Sequence, residues 1–259
     1  MSIEVTKYTK EYNVKSYEAD CHGFLRILTL MNILQDIACE NADALGFGFV
    51  ECHKHNLTWV GSNYLIKIKR LPRIDEHFII ETWPAAGKLW GAVRDFNIKD
   101  KEGNVIACAS SQWVLIDYER RRPVALSKYF PEYHFLDERV MDEDFHKLPE
   151  VENPDFIKEF AVRFDDIDVN NHVNNAVYPV WASESIDSKY RMLHLPAEIE
   201  LNFKKEALFG EKIRVETKQN ESESMHIIRD EKSGDELAKC LIKWREITSE
   251  PLASEPCAD

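Results

Sequence analysis

The sequence predicts an α+β fold in which one unit, a helix followed by four or more antiparallel strands, occurs twice. Three observations support this prediction. Apolar residues recur at helical spacing once in each half, alternating apolar and polar residues follow each helix, and a proline-containing acidic segment separates the halves. A strongly curved antiparallel sheet wrapped around a long apolar helix would satisfy both patterns. We therefore expect the two units to pair into one continuous sheet.

The first unit begins with a helix in "TLMNILQDIACENADALG", where Gly46 follows the last apolar position as the predicted C-cap. In "YLIKIKR", apolar and basic residues alternate, which predicts a half-buried strand. Three more strands are predicted in "HFIIETW", "AVRDFNIK" and "VIACASSQWVLID". "DKEGN" joins the last two as a hairpin, with Gly103 available for a positive φ. The last strand is apolar on both faces and should be central.

After Pro123 this pattern decays into scattered aromatics, acidic clusters and prolines, which predicts a connecting segment on the surface. The same order then returns. A helix is predicted in "AVYPVWASESIDSKY", with Pro179 near its first turn, followed by strands in "AEIELNFKK", "EKIRVETK", "SMHIIRD" and "ELAKCLIKWREI", and by a hairpin at "KSGD". The predicted regions are an N-terminal unit at 1–125, a linker at 126–157, a C-terminal unit at 158–248 and a disordered tail at 249–259.

Composition excludes several classes of protein. The chain of 259 residues carries a formal net charge of -13, and such a surface repels nucleic acid unless basic residues are concentrated in one patch. No apolar run reaches the roughly 18 residues of a membrane helix, and "MSIEVTKYTKEY" has no signal-peptide core, so we expect a soluble cytoplasmic protein. The six cysteines form no C-x-x-C pair, which argues for reduced thiols rather than a disulfide framework or a zinc site.

The stretch "FDDIDVNNHVNN" carries the densest chemistry in the chain. Four polar residues stand at every second position, namely Asp168, Asn170, His172 and Asn174. Residues two apart point to the same side only when the backbone is extended. We therefore expect an extended segment that projects these four side chains to one side. Ile167, Val169 and Val173 would then face the core.

The second helix is predicted to begin where this row ends. The first N–H groups of a helix lack intrahelical partners and carry the positive end of its dipole, so they can hold a developing oxyanion. We expect the backbone of Val173, Asn174 and Asn175 to supply these groups, and the two asparagines are also natural helix caps. A carboxylate, an amide, an imidazole and a helix N-terminus are typical of a hydrolytic or acyl-transfer site. The alternative is a capping turn with a solvent-facing histidine.

The sequence "DDIDVNNHVNNAVYPVWASES" resembles the signature of the acyl-acyl carrier protein thioesterases of plant plastids and bacteria, D-x-D-x-N-x-H-V-N-N-x-x-Y followed by W-x-x-E-S. "NILQDIA", "GFGF", "NLTWVGSNYLIKIKRLPR", "ETWPAAGKLWGAVRDF" and "ASSQWVLIDYERRRP" look like that family's N-terminal domain, in the same order. The resemblance runs from about Tyr8 to Ile247. It implies a double hot-dog fold. It also implies hydrolysis of the thioester that joins a fatty acyl chain to the 4'-phosphopantetheine arm of acyl carrier protein, which terminates fatty acid synthesis.

The resemblance places catalytic roles on Asp168, Asn170 and His172, and on Glu206 in "NFKKEALFG". Many plant members have a cysteine directly after this glutamate, once proposed as the nucleophile, but this chain has Ala207. We therefore favour attack by water, with Glu206 and His172 acting together as the general base near the ordinary histidine pKa of about 6.5. Asp168 would orient the imidazole or the water, and Asn170 would hydrogen-bond the substrate or the water. Attack by Asp168 itself, giving an anhydride, is the alternative.

No cofactor is implied, and a metal site is not expected because a single histidine flanked by amides is a poor ligand set. Only the second half should be catalytic. In the first half, "YEADCHGFLRIL" occupies the place of the motif. When the two aspartates are aligned, Phe24 stands at the place of His172, and His22 at the place of Asn170. The resemblance implies that this N-terminal unit holds the acyl chain.

Acyl carrier protein is acidic, so basic clusters are candidates for docking it despite the net negative charge. Two clusters are present, one formed by Lys67, Lys69, Arg70 and Arg73, and the other by Arg120, Arg121 and Arg122. Solvated strand ends are the simpler interpretation of either cluster alone. An acyl-coenzyme A thioesterase and a non-catalytic acyl-binding protein remain alternative functions. Two paired units within one chain allow either a monomer or a homodimer.

Overall fold

The structure is a computed structural model, and it describes residues 7–88 and 91–247. The tail predicted to be disordered, and Cys257 within it, lie outside the described residues. No helix among the described residues is long and apolar enough to cross a membrane.

The first unit contains the predicted helix and the four predicted strands. Its elements are β1 (Tyr8–Asn13), α1 (Ile27–Ala44), α2 (Phe49–Lys54), β2 (Leu57–Ile68), β3 (His77–Lys88), β4 (Gly91–Asp100), β5 (Val105–Asp117), β6 (Arg122–Pro123) and α3 (Leu126–Tyr129). Gly46 follows α1 with a φ of 81°, and Gly103 turns the β4–β5 hairpin with a φ of 89°, which confirms both glycine predictions. The sequence analysis missed β1, which precedes the helix and pairs with β3.

The second unit repeats this order. Its elements are β7 (Phe156–Ala161), α4 (Tyr178–Glu184), α5 (Ser188–Leu193), β8 (His194–Phe203), β9 (Lys212–Gln219), β10 (Glu223–Asp230) and β11 (Glu236–Glu246). The single helix predicted here is two helices, because the Asp187 side chain accepts a hydrogen bond from the Tyr190 amide and starts a new one. The edge strand β7 was missed, and it begins inside the segment predicted as the linker.

All the strands form one sheet, in the order β1-β3-β4-β5-β2-β8-β11-β10-β9-β7, with β6 paired to β5. Within each half, the order begins at the outer edge with β1 or β7 and ends at the centre with the strand that follows the helices, β2 or β8. The two halves join where β2 pairs antiparallel with β8, at Asn63–Lys67 opposite Glu198–Asn202. The structure therefore confirms the predicted α+β fold with one continuous sheet.

The sheet curves around α1, whose apolar face is fully buried. Leu30, Leu34 and Ile37 are 0% exposed, and they belong to one core that also contains Tyr64 and Phe96 from the sheet. Fully burying a side chain of this size stabilises the fold by about 1.5–3 kcal/mol, so these contacts fix the position of α1 over the sheet. The space that they leave open at the C-terminal half of α1 belongs to the site described below.

Buried acidic residues of the sheet hold the segment that connects the two units. Asp95 on β4 is 0% exposed and accepts hydrogen bonds from the Val140 amide (2.8 Å) and from Arg139 Nε (2.9 Å). Glu200 on β8 accepts one from the His146 amide (2.6 Å). This segment is therefore anchored to both units. We retain residues 126–157 as a proposed linker whose last residues form the start of β7.

Candidate active site

The motif that contains His172 forms a tight turn, which we call the His172 loop (Asp168–Val173). The Asp168 amide donates to the His172 carbonyl (2.8 Å), and the Asn171 amide donates to the Asp168 carbonyl (3.0 Å). Asn171 has a φ of 62°, a left-handed conformation that reverses the chain. The prediction of an extended row is therefore wrong. Val169 at the tip is 91% exposed and does not face the core.

A cavity of about 560 Å³ lies beside this loop, where the two units meet. The first unit contributes β2 and β5, and the second contributes the loop and the end of β8. The structure brings all four predicted catalytic residues to this one cavity, namely Asp168, Asn170, His172 and Glu206.

Glu206 contacts two cationic or potentially cationic side chains. Its Oε2 lies 3.1 Å from His172 Nε2, and the imidazole and carboxylate side chains are only 25% and 30% exposed. The same oxygen contacts the guanidinium of Arg121. Arg121 belongs to the turn after β5, with a φ of 52°, so the first unit reaches across to the carboxylate of the second. Sequence reasoning placed Arg121 in a docking cluster, whereas the structure places it in the cavity.

The backbone next to Glu206 is held from two sides. The Val173 amide donates to the Ala207 carbonyl (2.9 Å), and the Ala207 amide donates to the Tyr178 hydroxyl (3.2 Å). Ala207 itself is 0% exposed and belongs to the hydrophobic core. A side chain at position 207 therefore faces the core while that of Glu206 lines the cavity.

Asp168 and Asn170 interact mainly with each other. Asp168 Oδ1 accepts a hydrogen bond from the Asn170 amide (2.8 Å), and Asp168 Oδ2 lies 3.4 Å from Asn170 Nδ2. The carboxylate thus stabilises the turn that presents the amide side chain. Asn170 is exposed and also lines the second cavity described below, so it lies at the junction of the two.

The predicted oxyanion hole is wrong for two of its three residues. The Val173 amide is bonded to the Ala207 carbonyl, and the Asn174 amide donates to the Asp166 carbonyl (2.8 Å). Both donors are therefore occupied, because the loop folds back on its own chain instead of running straight into a helix. Asn174 acts as a cap, since its Oδ1 accepts from the Ala176 amide (3.0 Å).

Asn175 is the remaining member of that prediction, and it lines the cavity. Gly61 on β2 approaches it closely, because a Cβ placed at this glycine would lie 2.9 Å from Asn175 Nδ2. The absence of a side chain at Gly61 thus leaves the amide of Asn175 room beside the cavity.

A second cavity of about 130 Å³ lies between α1 and the sheet. It shares several lining residues with the first cavity, namely Gln35, Thr58, Trp59, Trp113 and Asn170. Cys39 and Cys52 also line it, and burial raises the pKa of the Cys52 thiol to about 12. The two cavities therefore adjoin each other between the His172 loop and α1.

A buried arginine lines this second cavity. Arg94 is 6% exposed, and its Nη1 donates to Asn41 Oδ1 (2.7 Å) and to Thr82 Oγ1 (3.2 Å). Both partners are neutral, and burial lowers the pKa of the guanidinium. Within residues 7–88 and 91–247, no carboxylate oxygen lies within 4.0 Å of Arg94. Sequence reasoning missed this residue.

The two basic clusters differ in how they are paired. In the first, Lys67 pairs with Glu143 (2.6 Å) and Arg70 with Glu76 (2.7 Å), so part of its charge is neutralised within the chain. In the second, Arg121 contacts Glu206, whereas Arg120 and Arg122 are exposed beside the cavity. Two further lysines that the sequence analysis did not single out, Lys204 and Lys205, line the same cavity.

The chain is similar to known proteins along nearly all of its length. Residues 5–133 match the family model of the acyl-ACP thioesterase N-terminal domain, and residues 150–246 match that of the C-terminal domain. The chain is 27% identical over 284 residues to oleoyl-acyl carrier protein thioesterase 2, chloroplastic, of Arabidopsis thaliana, covering 93% of this chain and 77% of that protein. It is 29% identical over 261 residues to palmitoyl-acyl carrier protein thioesterase, chloroplastic, of Cuphea hookeriana, covering 92% and 62%.

Solved structures show the same fold. The 12:0-ACP thioesterase from Umbellularia californica superposes with a TM-score of 0.84 and 25% identity, covering 95% of this chain and 100% of that one. An acyl-ACP thioesterase from Bacteroides thetaiotaomicron gives a TM-score of 0.83 at 22% identity, covering 92% and 98%. These findings confirm the predicted double hot-dog fold and thioester hydrolase class. Both halves match their domain models in order, so the chain belongs to the acyl-acyl carrier protein thioesterase family.

Proposed function

We propose that this chain hydrolyses fatty acyl thioesters of acyl carrier protein to free fatty acid and acyl carrier protein, and so terminates fatty acid synthesis. The observation that carries the proposal is the 3.1 Å contact between His172 and Glu206 at a cavity that adjoins a second cavity under α1. The first cavity offers acid–base chemistry, and the adjoining one offers room for an acyl chain. The names of the family and of the relatives described above support the carrier-bound substrate.

The proposed reaction uses His172 and Glu206 as one acid–base unit. A water oxygen attacks the thioester carbonyl carbon, and the proton lost by the water passes to the pair. The carbon–sulfur bond then breaks, and the departing pantetheine thiolate takes up this proton. Asn170 and Asn175 line the cavity with amide groups suited to the carbonyl oxygen, whose negative charge grows during the attack.

Water is a better nucleophile for this site than the carboxylate of Asp168. That carboxylate is held in the turn by its hydrogen bond to the Asn170 amide. Hydroxylamine added during turnover tests this assignment, because it converts an acyl–aspartyl anhydride to a hydroxamate. We expect mass spectrometry to find Asp168 unmodified. A hydroxamate at Asp168 would establish attack by the aspartate.

We propose that the N-terminal unit (1–125) holds the acyl chain and that the C-terminal unit (158–248) carries the catalytic residues. The second cavity supports this division, because its walls come mostly from α1, α2 and the first-unit strands. Arg94 would then limit chain length, since a buried guanidinium is a poor neighbour for further methylene groups. Arg94→Met should therefore shift the released fatty acids toward longer chains, as measured by mass spectrometry of products from a mixture of acyl chain lengths.

We also propose that the carrier docks beside Arg120 and Arg122, near Lys204 and Lys205. The exposure of Arg120 and Arg122 next to the cavity residues Arg121 and Pro123 supports this position. Ion pairing does not separate the two sites, because Lys205 pairs with Asp235 (2.7 Å) as Lys67 of the first cluster pairs with Glu143 (2.6 Å). Reversing both charges, with Arg120→Glu and Arg122→Glu, should raise KM for acyl-acyl carrier protein several-fold and leave a small acyl thioester unaffected. Lys69→Glu in the first cluster is the matched control. Equal effects on both substrates, or a larger effect from Lys69→Glu, would contradict this docking position.

The direct test of the function compares substrates of equal chain length on purified protein. We expect thiol release and free fatty acid from dodecanoyl-acyl carrier protein, at a higher kcat/KM than from dodecanoyl-coenzyme A. Preference for the coenzyme A thioester would favour the alternative enzyme. Retained ligand without thiol release would favour an acyl-binding protein.

A cytoplasmic location and a functional monomer or homodimer also remain proposals. Because β2 and β8 already pair the two units within one chain, a monomer contains both sides of the cavity. The plant relatives named above are chloroplastic proteins. Cell fractionation and light scattering of the purified protein test location and assembly separately.

A further inference from the structure

The first unit contains a second copy of the turn that presents His172, which we call the Phe24 loop (Asp20–Leu25). The Asp20 amide donates to the Phe24 carbonyl (2.8 Å), and the Gly23 amide donates to the Asp20 carbonyl (3.0 Å). Asp20 Oδ1 accepts from the His22 amide (2.9 Å). Each bond has its counterpart in the His172 loop, so the two loops share one backbone scaffold.

A cavity of about 370 Å³ lies beside the Phe24 loop, and several of its walls correspond to those of the first cavity with the units exchanged. The first cavity combines the His172 loop with β2 and α1 of the other unit, whereas this one combines the Phe24 loop with β8 and α4. On β8, Leu195 and Pro196 line it, in the place that Val60 and Gly61 hold on β2. The cavity is therefore the symmetry-related equivalent of the proposed active site.

This cavity lacks the acid–base pair. Phe24 replaces His172, and Leu71 lines the cavity where Glu206 lines the other. The backbone hydrogen bonds of the two preceding residues show that Leu71 and Glu206 occupy equivalent positions. The amides of 69 and 70 both donate to the Ile106 carbonyl, as those of 204 and 205 both donate to the Leu237 carbonyl. A ligand here would be bound without being hydrolysed.

The walls and the polar groups indicate what such a ligand is. The walls are largely apolar, with Leu25, Leu28, Leu71, Pro179, Val180 and Met192 among them. At the loop, His22 lines the cavity, but its Nε2 is buried away from the cavity surface and makes no hydrogen bond in the described part of the chain. Arg26 and Arg191 also line the cavity. Apolar walls together with these two guanidinium groups fit an acyl chain that ends in an anion.

The two acidic residues that line the cavity are engaged elsewhere. Asp20 Oδ1 accepts hydrogen bonds from the amides of His22 (2.9 Å) and Phe24 (3.0 Å), within the loop. Glu184 is 59% exposed, and its carboxylate lies 3.9 Å from Lys158. Among the described residues, neither carboxylate forms a direct ion pair with Arg26 or Arg191. Arg26 Nε donates to the Ala19 carbonyl (2.8 Å) and Arg191 Nη1 donates to the His194 carbonyl (3.1 Å), so each guanidinium keeps further N–H groups that can bind a carboxylate.

We propose that this cavity is a second, non-catalytic site that binds a free fatty acid, with its carboxylate near Arg26 or Arg191 and its chain along α4. The choice of ligand rests on the proposed function, because a fatty acid is the product of that reaction. The binding itself does not require hydrolysis. The chain would thus hold its product at the counterpart of the site that forms it.

Photocrosslinking tests the proposal on the unaltered protein. Dodecanoic acid carrying a diazirine near its last carbon is added below its micelle concentration, irradiated, and mapped by mass spectrometry. We expect two sets of labelled peptides, one around α1 and one within residues 179–196. The methyl ester of the same probe should label residues 179–196 several-fold less, because it lacks the carboxylate. Labelling confined to the α1 cavity, or equal labelling by acid and ester at 179–196, would overturn the proposal.

Filling the cavity provides a matched pair of variants. Val180→Trp should lower labelling of residues 179–196 roughly tenfold, since the new ring occupies the space of the chain. Ile157→Trp, at an exposed position of β7 outside the cavity, should leave it unchanged. Undiminished labelling in Val180→Trp would contradict the site. Labelling at 179–196 in a protein that releases no fatty acid would instead refute the proposed function alone.

Discussion

The His172 loop and the Phe24 loop are held by the same backbone hydrogen bonds, yet only one of them faces a carboxylate with an imidazole. Asp168 and Asp20 each accept from an amide two residues ahead, at 2.8 and 2.9 Å. Both loops also anchor to a distant carbonyl, through Val173 in one and Leu25 in the other. The scaffold therefore does not depend on the proposed catalytic side chains. Folding and catalysis should be separable in this protein.

The interiors beneath α1 and α4 also differ, because the first is open and the second is filled by side chains. Under α1, Arg94 lines an open cavity. Under α4, the 0% exposed His226 fills the space and bonds to Thr217 (2.9 Å), Ser224 (2.7 Å) and Ser185 (3.2 Å). The second unit thus fills this part of its interior with a hydrogen-bonded histidine, whereas the first unit contains an open cavity under its helix.

The largest effect should come from making the His172 loop resemble its counterpart. His172→Phe removes the imidazole but keeps the backbone scaffold, so kcat should fall by about 10²–10⁴, the range for a lost general base. The melting temperature should change little. Val169→Ala, at the exposed tip of the same loop, is the matched control and should retain wild-type turnover. Residual activity within tenfold of wild type in His172→Phe would contradict the proposed role.

Glu206→Leu introduces the residue type of the equivalent position, Leu71. It should lower kcat by about a hundredfold because the imidazole loses its carboxylate partner. Glu206→Gln, which keeps the shape without the charge, should be similarly impaired. Steady-state kinetics on a carrier-bound substrate measures both. If Glu206→Gln turned over at the wild-type rate, the carboxylate would have no part in base catalysis.

The closed interior of the second unit should make the protein sensitive to acid. Burial lowers the pKa of His226 to about 3, so the folded state keeps this ring neutral while the unfolded chain protonates it below about 6.5. The stabilisation is complete above pH 6.5 and is lost progressively as the pH falls toward 3. At pH 5 this loss is about 2 kcal/mol.

His226→Gln removes the titrating group and serves as the comparison. Urea unfolding at pH 7 and pH 5 should show that the wild type loses about 2 kcal/mol more than the variant between the two values. Parallel losses in both proteins would show that His226 is protonated in the folded state.

The smallest expected effect is the inhibition caused by modifying a cysteine at the α1 cavity of the first unit. Cys39 lines the α1 cavity and is exposed, and partial desolvation of its thiol raises the thiol pKa, so N-ethylmaleimide should react slowly at pH 7 and faster at pH 9. The attached group should reduce turnover of a long acyl chain several-fold by occupying the cavity. Cys39→Ala should abolish this inhibition. Inhibition of equal size in the variant would place the reactive thiol elsewhere.

The sequence predicted most of what depends on local pattern. Helical and alternating periodicity located α1 and the strands β2–β5, and the glycine turns followed from "DKEGN" and "KSGD". The edge strands β1 and β7 were missed, because edge strands contact one neighbour and their partly exposed, lysine-containing sequences show weak alternation.

At the site, the sequence identified the side chains but not their arrangement. The left-handed Asn171 turned a predicted extended row into a loop, and nothing in an asparagine-rich sequence specifies which residue takes that conformation. The amides expected to form the oxyanion hole bond to Ala207 and Asp166, one of them distant in sequence. Arg121 reaches Glu206 only because β2 and β8 bring the two units together.

The central claim is that the ring of residue 172 and the carboxylate of residue 206 act as a single unit that draws a proton from water. A kinetic double-mutant cycle with His172→Phe, Glu206→Leu and the double variant measures this coupling directly. We expect the double variant to be about as slow as the slower single variant, because either change already disables the unit. Losses that multiply in the double variant would show two independent contributions and contradict the coupling of the two residues.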